Sequence, residues 1–262
     1  GSDNGGTVTP TDGSVTPGKT SFFNGTSLSA ADLGIGLHLK ESDSGSSSVD
    51  AHANQLVIEH GTSGEGCGIS FLAATDGFVR LAFGDSGDDN IGQIVYNNTG
   101  NSMSLITNTA TAVSIDDDGQ VTMPKQPAFQ AIPSGTQSNI ATGSNVQIEF
   151  GTERFDVNGD FASHTFTAPV TGKYQLNAQL RFQSVDTAAD YYQLRLATSN
   201  RTYGPLIDPG PFGSDPEYWN ISFSVVADMD ANDTAIVSLR QQGGTQQTDI
   251  DDASHFSGCL LA

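Results

Sequence analysis

From Tyr174 to Gln183 the sequence alternates strictly between apolar and polar side chains. Tyr174, Leu176, Ala178, Leu180 and Phe182 fall on one face, and Gln175, Asn177, Gln179, Arg181 and Gln183 on the other. A period of two is the signature of a β-strand with one buried face, and it excludes an amphipathic helix. Pro169 and Gly172 supply the turn that enters this strand. The stretch 191–197 (YYQLRLA) sets Tyr192, Leu194 and Leu196 against Gln193 and Arg195, and 219–226 (WNISFSVV) sets Trp219, Ile221, Phe223 and Val225 against Asn220, Ser222 and Ser224. With 235–240 (AIVSLR) and 255–262 (HFSGCLLA), these runs predict an all-β sandwich or jelly roll over residues 124–262.

The preceding region has a leaner texture. Apolar runs recur at 56–58 (LVI), 68–72 (GISFL), 78–83 (FVRLAF), 91–96 (IGQIVY), 103–106 (MSLI), 113–115 (VSI) and 121–123 (VTM), separated by Gly-, Asn- and Asp-rich clusters. That spacing predicts an antiparallel meander of short strands. Gly, Ser and Thr dominate its alternate positions, so one copy has little to bury, and packing against two symmetry mates would both cover the sheet and hide its edges. Residues 41–50 (ESDSGSSSVD) read as a polar loop. Residues 1–20 carry the near-repeat TVTP and SVTP and read as a flexible linker, Gly1-Ser2 being taken as a cloning scar from a longer protein. The expected division is thus a linker (1–20), a β-rich shaft module (21–123) and a sandwich (124–262).

Two resemblances follow from particular residues. NQLVIEHG (54–61), the stretch 81–108 and VSIDDDGQVTM (113–123) resemble the trimeric shaft modules of bacteriophage tail fibres and head spikes. Downstream, PAFQAI (127–132), FTAPVTGKY (166–174), MDANDTAIVSLRQ (229–241) and FSGCLLA (256–262) occur in the order of the motifs of the complement globular-head and tumour-necrosis-factor-like family. This resemblance implies a ten-stranded jelly roll, a homotrimer, and action by binding rather than catalysis. Asn232-Asp233 departs from the family's usual Gly-Asp. The Gln-rich face of 174–183 implies a wetter trimer contact than usual.

Charge and chemistry narrow the function. Ten Lys and Arg stand against 30 Asp and Glu, a formal net charge of −20, which repels nucleic acid and anionic membrane. No apolar run is long enough to cross a bilayer as a helix. Cys67 and Cys259 fall in separate segments, without metal or redox spacing. His38, His52, His60, His164 and His255 are scattered, and no nucleophile elbow or phosphate loop occurs. No catalytic residue is assigned and no enzyme is expected.

Two sets of binding residues stand out. Asp249, Asp251 and Asp252, with Asp228, Asp230 and Asp233 as a second cluster, are hard oxygen donors of the kind that suits Ca²⁺. The rival reading makes them solvated or strand-capping turn residues. Tyr203, Phe212 and Tyr218, with Tyr191 and Asp215, border the proline-stiffened segment 201–218, and aromatic faces beside carboxylates and amides can form a sugar platform. Here the rival is packing onto the sandwich. The combined expectation is a trimeric fibre or spike of a phage or phage-like particle, gene transfer agents included. It would be assembled in the bacterial cytoplasm and displayed on the virion surface, bound to other virion proteins upstream and to a host cell-surface glycan through its head. The alternatives are a structural decoration or collar fibre without ligand, a secreted adhesin or carbohydrate-binding module, and a polysaccharide depolymerase.

Overall fold

The computed structural model describes residues 37–262, so the expected linker lies outside the described residues. The described residues fall into two compact units that part between Leu72 and Ala73.

In the first unit, β1 (Leu37–Lys40) and β2 (Leu56–Glu59) pair in parallel. The polar loop 41–50 between them is tied down by a buried carboxylate. Glu59 is 5% exposed and accepts from the Ser44 amide at 2.7 Å and the Ser44 hydroxyl at 2.8 Å. His38 Nε2 lies 2.9 Å from its other oxygen, and Lys40 Nζ 3.5 Å. The Ser44 hydrogen bonds, with Lys40 beside them, hold the Glu59 carboxyl down from 4.5 to about 2.

The second unit begins with a five-stranded meander of β3 (Phe78–Phe83), β4 (Gly92–Asn97), β5 (Ser102–Thr107), β6 (Ala110–Ile115) and β7 (Val121–Thr122), paired in chain order. Two of the seven expected strands are absent from it. The run 56–58 belongs to the parallel pair, and 68–72 takes no regular structure, with Leu72 94% exposed. Both are apolar enough for a strand, but 68–72 finds no neighbour to accept its backbone hydrogen bonds among the described residues.

Two sheets follow. The first runs β10 (Thr152–Asp156), β8 (Ala128–Ile132), β20 (His255–Leu260), β13 (Gly172–Gln183) and β17 (Tyr218–Met229), with β19 (Asp249–Ile250) also on β13. The second runs β11 (Phe161–Ala162), β12 (Thr165–Thr167), β18 (Thr234–Gly243), β14 (Ala189–Thr198) and β15 (Thr202–Tyr203). Off that path, β9 (Asn145–Gln147) pairs with β18, and β16 (Leu206–Ile207) with β14. The chain crosses repeatedly between the sheets, and all strand pairs within them are antiparallel. This is the expected all-β jelly roll, with ten strands on its two main paths.

The four motif segments behind the head-domain resemblance meet in this sandwich. Phe129 stacks on Phe161 and Phe166 from the opposite sheet, with centroids 4.9 and 4.6 Å apart, and meets Phe256 edge-on at 4.9 Å. Gly258 is the residue that permits this packing. A Cβ there would come within 2.6 Å of Leu176 and 2.9 Å of the Phe129 ring. Ala168 and the 229–233 turn exchange backbone hydrogen bonds, Asn232 N–H to Ala168 O and Ala168 N–H to Asp233 O, each 2.8 Å. Asn232 has φ +74°, a left-handed turn position that asparagine tolerates better than most side chains.

Tyr174 is fully buried, meets Phe166 at 5.4 Å and donates its hydroxyl hydrogen bond to the Val170 carbonyl at 2.7 Å. Tyr174→Ser should destabilise the head by about 3–5 kcal/mol, the usual cost of truncating a buried aromatic, read from the shift in denaturant midpoint. For the first unit, a carboxyl titrating below its ordinary value stabilises the fold above that value and loses this contribution as pH falls through the folded one. The amide protection factor of Ser44 should therefore persist at a pH near the unperturbed 4.5 and fall as pH approaches about 2. In Glu59→Ala, which removes the acceptor, it should be low at both.

Candidate functional site

β13 and β17 are the longest strands of the head at 12 residues each, and their shared register runs unbroken from Gly172↔Met229 to Gln183↔Tyr218. Directly paired residues share a face. At one end of the sheet, Asp249, Gln183 and Tyr218 therefore line up across the outer face, and Arg181 and Asn220 form the next row. The Arg181 guanidinium carbon stands 6.0 Å from the Tyr218 ring centroid, a cation–π contact, while Tyr218 remains 59% exposed.

Asp251 organises this corner. It is 1% exposed, and its Oδ2 accepts from Arg181 Nε and, at 2.9 Å, from Gln183 Nε2. Its Oδ1 accepts from the Ala253 amide at 3.0 Å. The carboxylate thereby fixes the two side chains that flank Tyr218. The terminal guanidinium nitrogens of Arg181 make no hydrogen bond among the described residues. The result is a solvent-facing aromatic ring between a positioned guanidinium and the amides of Gln183 and Asn220.

The structure sorts the expected ligand residues into two groups. Phe212 sits in a 3₁₀ turn (Gly210–Phe212), edge-on to Trp219 at 5.4 Å, and borders the same end of β17 as Tyr218. Tyr203 and Tyr191 belong to the other sheet. Tyr203 packs against the core from β15, and Tyr191 is half-buried on β14, paired with Gln242. The segment 201–218 is not an open loop in its first half, because β15 and β16 are zipped onto β14. Gly204, at φ +143°, permits the close approach, since a Cβ there would lie 1.9 Å from the Leu194 carbonyl oxygen.

Asp215 acts as a clamp between loops. It accepts from the Thr187 hydroxyl at 2.6 Å, the Thr187 amide at 2.9 Å and Gln247 Nε2 at 3.0 Å, and these bonds hold its carboxyl below the usual range.

The acidic clusters are likewise engaged. Asp249 accepts from the Asn139 amide at 2.6 Å, Asp252 is exposed, and Asp251 is committed as described. In the second cluster, Asp228 pairs with Lys173, and Asp233 accepts from Asn200 Nδ2 at 2.7 Å and the Asp230 amide at 2.9 Å. Among the described residues, no three His, Cys, Asp or Glu side chains gather as a metal-ligand set. Asp249, Asp251 and Asp252 are thus not brought together as a set of Ca²⁺ ligands.

One feature lay unread in the sequence. On the outer face of β13, β17 and β20, a depression of about 250 Å³ is lined by Asn177, Gln179, Ser222, Ser224 and His255. Ser224 donates to Asn177 Oδ1 at 2.8 Å, and burial lowers the His255 pKa. Its signal was the polar half of the alternation in 174–183, which marks where side chains point but not how deep the surface lies.

No family model and no curated protein matches the chain. Among solved structures, the chain is similar to the globular domain of zebrafish complement 1qA protein, at 17% identity over 52% of this chain and 98% of that one, with a TM-score of 0.40. It is also similar to murine APRIL at pH 8.0, at 12% identity over 52% of this chain and all (100%) of that one, with a TM-score of 0.38. At these scores the fold rests on the strand order itself.

Removing the Asp215 clamp tests its structural role. Asp215→Ala should lower the amide protection factor of Thr187 while leaving that of core strand β13 unchanged, as read by hydrogen exchange.

Proposed function

We propose that this chain is a homotrimeric fibre or spike segment of a phage or phage-like particle, whose jelly-roll head binds a host cell-surface glycan. The observation that carries the reading is the Tyr218 corner. Sugars are held by stacking their C–H faces on an aromatic ring and by hydrogen bonds to amides and guanidinium groups at the ring's edge. Tyr218 offers the ring, Gln183 and Asn220 the amides, and Arg181 a positioned cation suited to an acidic sugar. Because Asp251 already fixes Arg181 and Gln183, binding would cost less ordering entropy there than on a mobile loop.

The charge of −20 supports a partner that is neither nucleic acid nor anionic membrane. Three copies is the number implied by both resemblances, and the expected setting is the virion surface, with other virion proteins upstream. A trimer would present three corners at once, so weak individual sites would combine into firm attachment to a repetitive surface.

Glycan-array and whole-cell binding of the isolated protein test this directly. Tyr218→Ala should weaken binding about tenfold or more, or about 1.4 kcal/mol, without lowering thermal stability, since the ring is exposed. Arg181 is the poorer probe, because its loss strands the buried Asp251. Binding to no glycan or cell, or binding unchanged in Tyr218→Ala, would overturn the assignment.

A further inference from the structure

The meander β3–β7 has almost no core of its own. Across residues 78–122, Val95 is the one buried side chain. The strand register explains what is missing. Val79, Tyr96, Met103, Ile115 and Val121 form one cross-strand row, and Leu81, Ile94, Leu105 and Val113 form the next. Phe83 extends the same face. The opposite face carries the row Arg80, Val95, Ser104, Ser114 and Thr122. One side of this sheet is thus a continuous apolar surface of ten side chains, with Leu81 44%, Leu105 41%, Phe83 56% and Val121 60% exposed.

A sheet is stable when its apolar face is covered by a second layer. Four six-residue strands and the two-residue β7, about 4.8 Å apart, give a face of about 400 Å² before side-chain relief is counted. That is at the scale where an exposed apolar patch marks an interaction site. The nature of the cover can be narrowed. The acidic turns at Asp85 and Asp89 and at Asp116, Asp117 and Asp118 border the sheet, and they repel anionic lipid and nucleic acid. A flat apolar sheet face is best complemented by another such face about 10 Å away. The area is about half the 800 Å² that each partner of a stable pair contributes. A foreign protein meeting this face alone would be held weakly, whereas copies of the same chain meeting along their length add further contacts.

We propose that the apolar face of β3–β7 is the assembly contact of this protein, covered by the same face of further copies of the chain. This rests on the homotrimeric reading and specifies which surface makes the trimer. The head can then keep its outer face hydrated, in line with the amide and hydroxyl rows on β13 and β17.

The test is mass by light scattering for the full chain and for Leu81→Asp combined with Leu105→Asp. Both sites are exposed in the single chain, so a folded head should survive the change, as checked by near-ultraviolet circular dichroism. A wild-type mass near three times 27.3 kDa that falls about threefold in the double variant supports the proposal. A wild-type trimer that persists in the double variant overturns the proposed contact while leaving the trimeric reading standing. A monomeric wild type overturns both and leaves residues 1–36 or another protein as the cover. A variant whose head unfolds is replaced by Val121→Asp, at the rim of the face, and judged by the same masses.

Discussion

Each sheet in this chain must bury one face against something, and its success or failure in doing so organises the rest of the structure. The head meets the requirement within one chain. Two five-strand paths press their apolar faces together, and Phe129, Phe161, Phe166 and Phe256 interlock across the gap. The meander does not meet it. One side is an unbroken apolar patch and the other mixes Phe78, Val95 and Ile106 with Arg80 and small polar residues, with no second layer among the described residues to receive the patch. The head therefore completes its core within one chain, whereas the meander leaves an apolar face open among the described residues.

Acidic residues fasten the parts that hydrophobic packing leaves loose. Asp186, 4% exposed, accepts from the Ala188 amide at 2.8 Å and from the Thr245 amide, while its own amide donates to the Tyr192 hydroxyl at 2.9 Å. Asp215 joins two further loops, Asp251 sets the Arg181–Gln183 pair, and Glu59 anchors the polar loop of the first unit. Each carboxylate accepts two or three hydrogen bonds, many from backbone amides that no ladder satisfies. The acidity of the chain thus has structural uses distinct from solubility. Several of the aspartates that look like cation ligands in the sequence, Asp228, Asp233, Asp249 and Asp251, already bond to the protein itself.

Legibility differed by type of feature. The alternation in 174–183 located β13 and its buried face because a period of two projects directly onto a sheet. Three of the four head motifs were readable because Phe129, Phe166, Tyr174, Phe256 and Gly258 are fixed by packing around one point. The run 56–58 is a strand but pairs in parallel with β1 outside the meander, and 68–72 forms none, since an apolar run records willingness to be buried and not which strand partner it finds. Tyr203 and Tyr218 lie in the same aromatic segment, yet one packs on the core and the other faces water. What separates them is the pairing of β15 with β14 and of β17 with β13, a long-range choice that local sequence does not encode.

The sequence alone determined that the chain is all-β, where one of its longest strands runs, and which of that strand's side chains are buried. These follow from periodicity, which is a property of the chain taken one segment at a time. Only the tertiary structure decided that Asp251, Arg181, Gln183 and Tyr218 share one corner and that ten apolar side chains of the meander share one uncovered face. Both depend on strand register, where a shift of one residue would turn every side chain to the other side of its sheet.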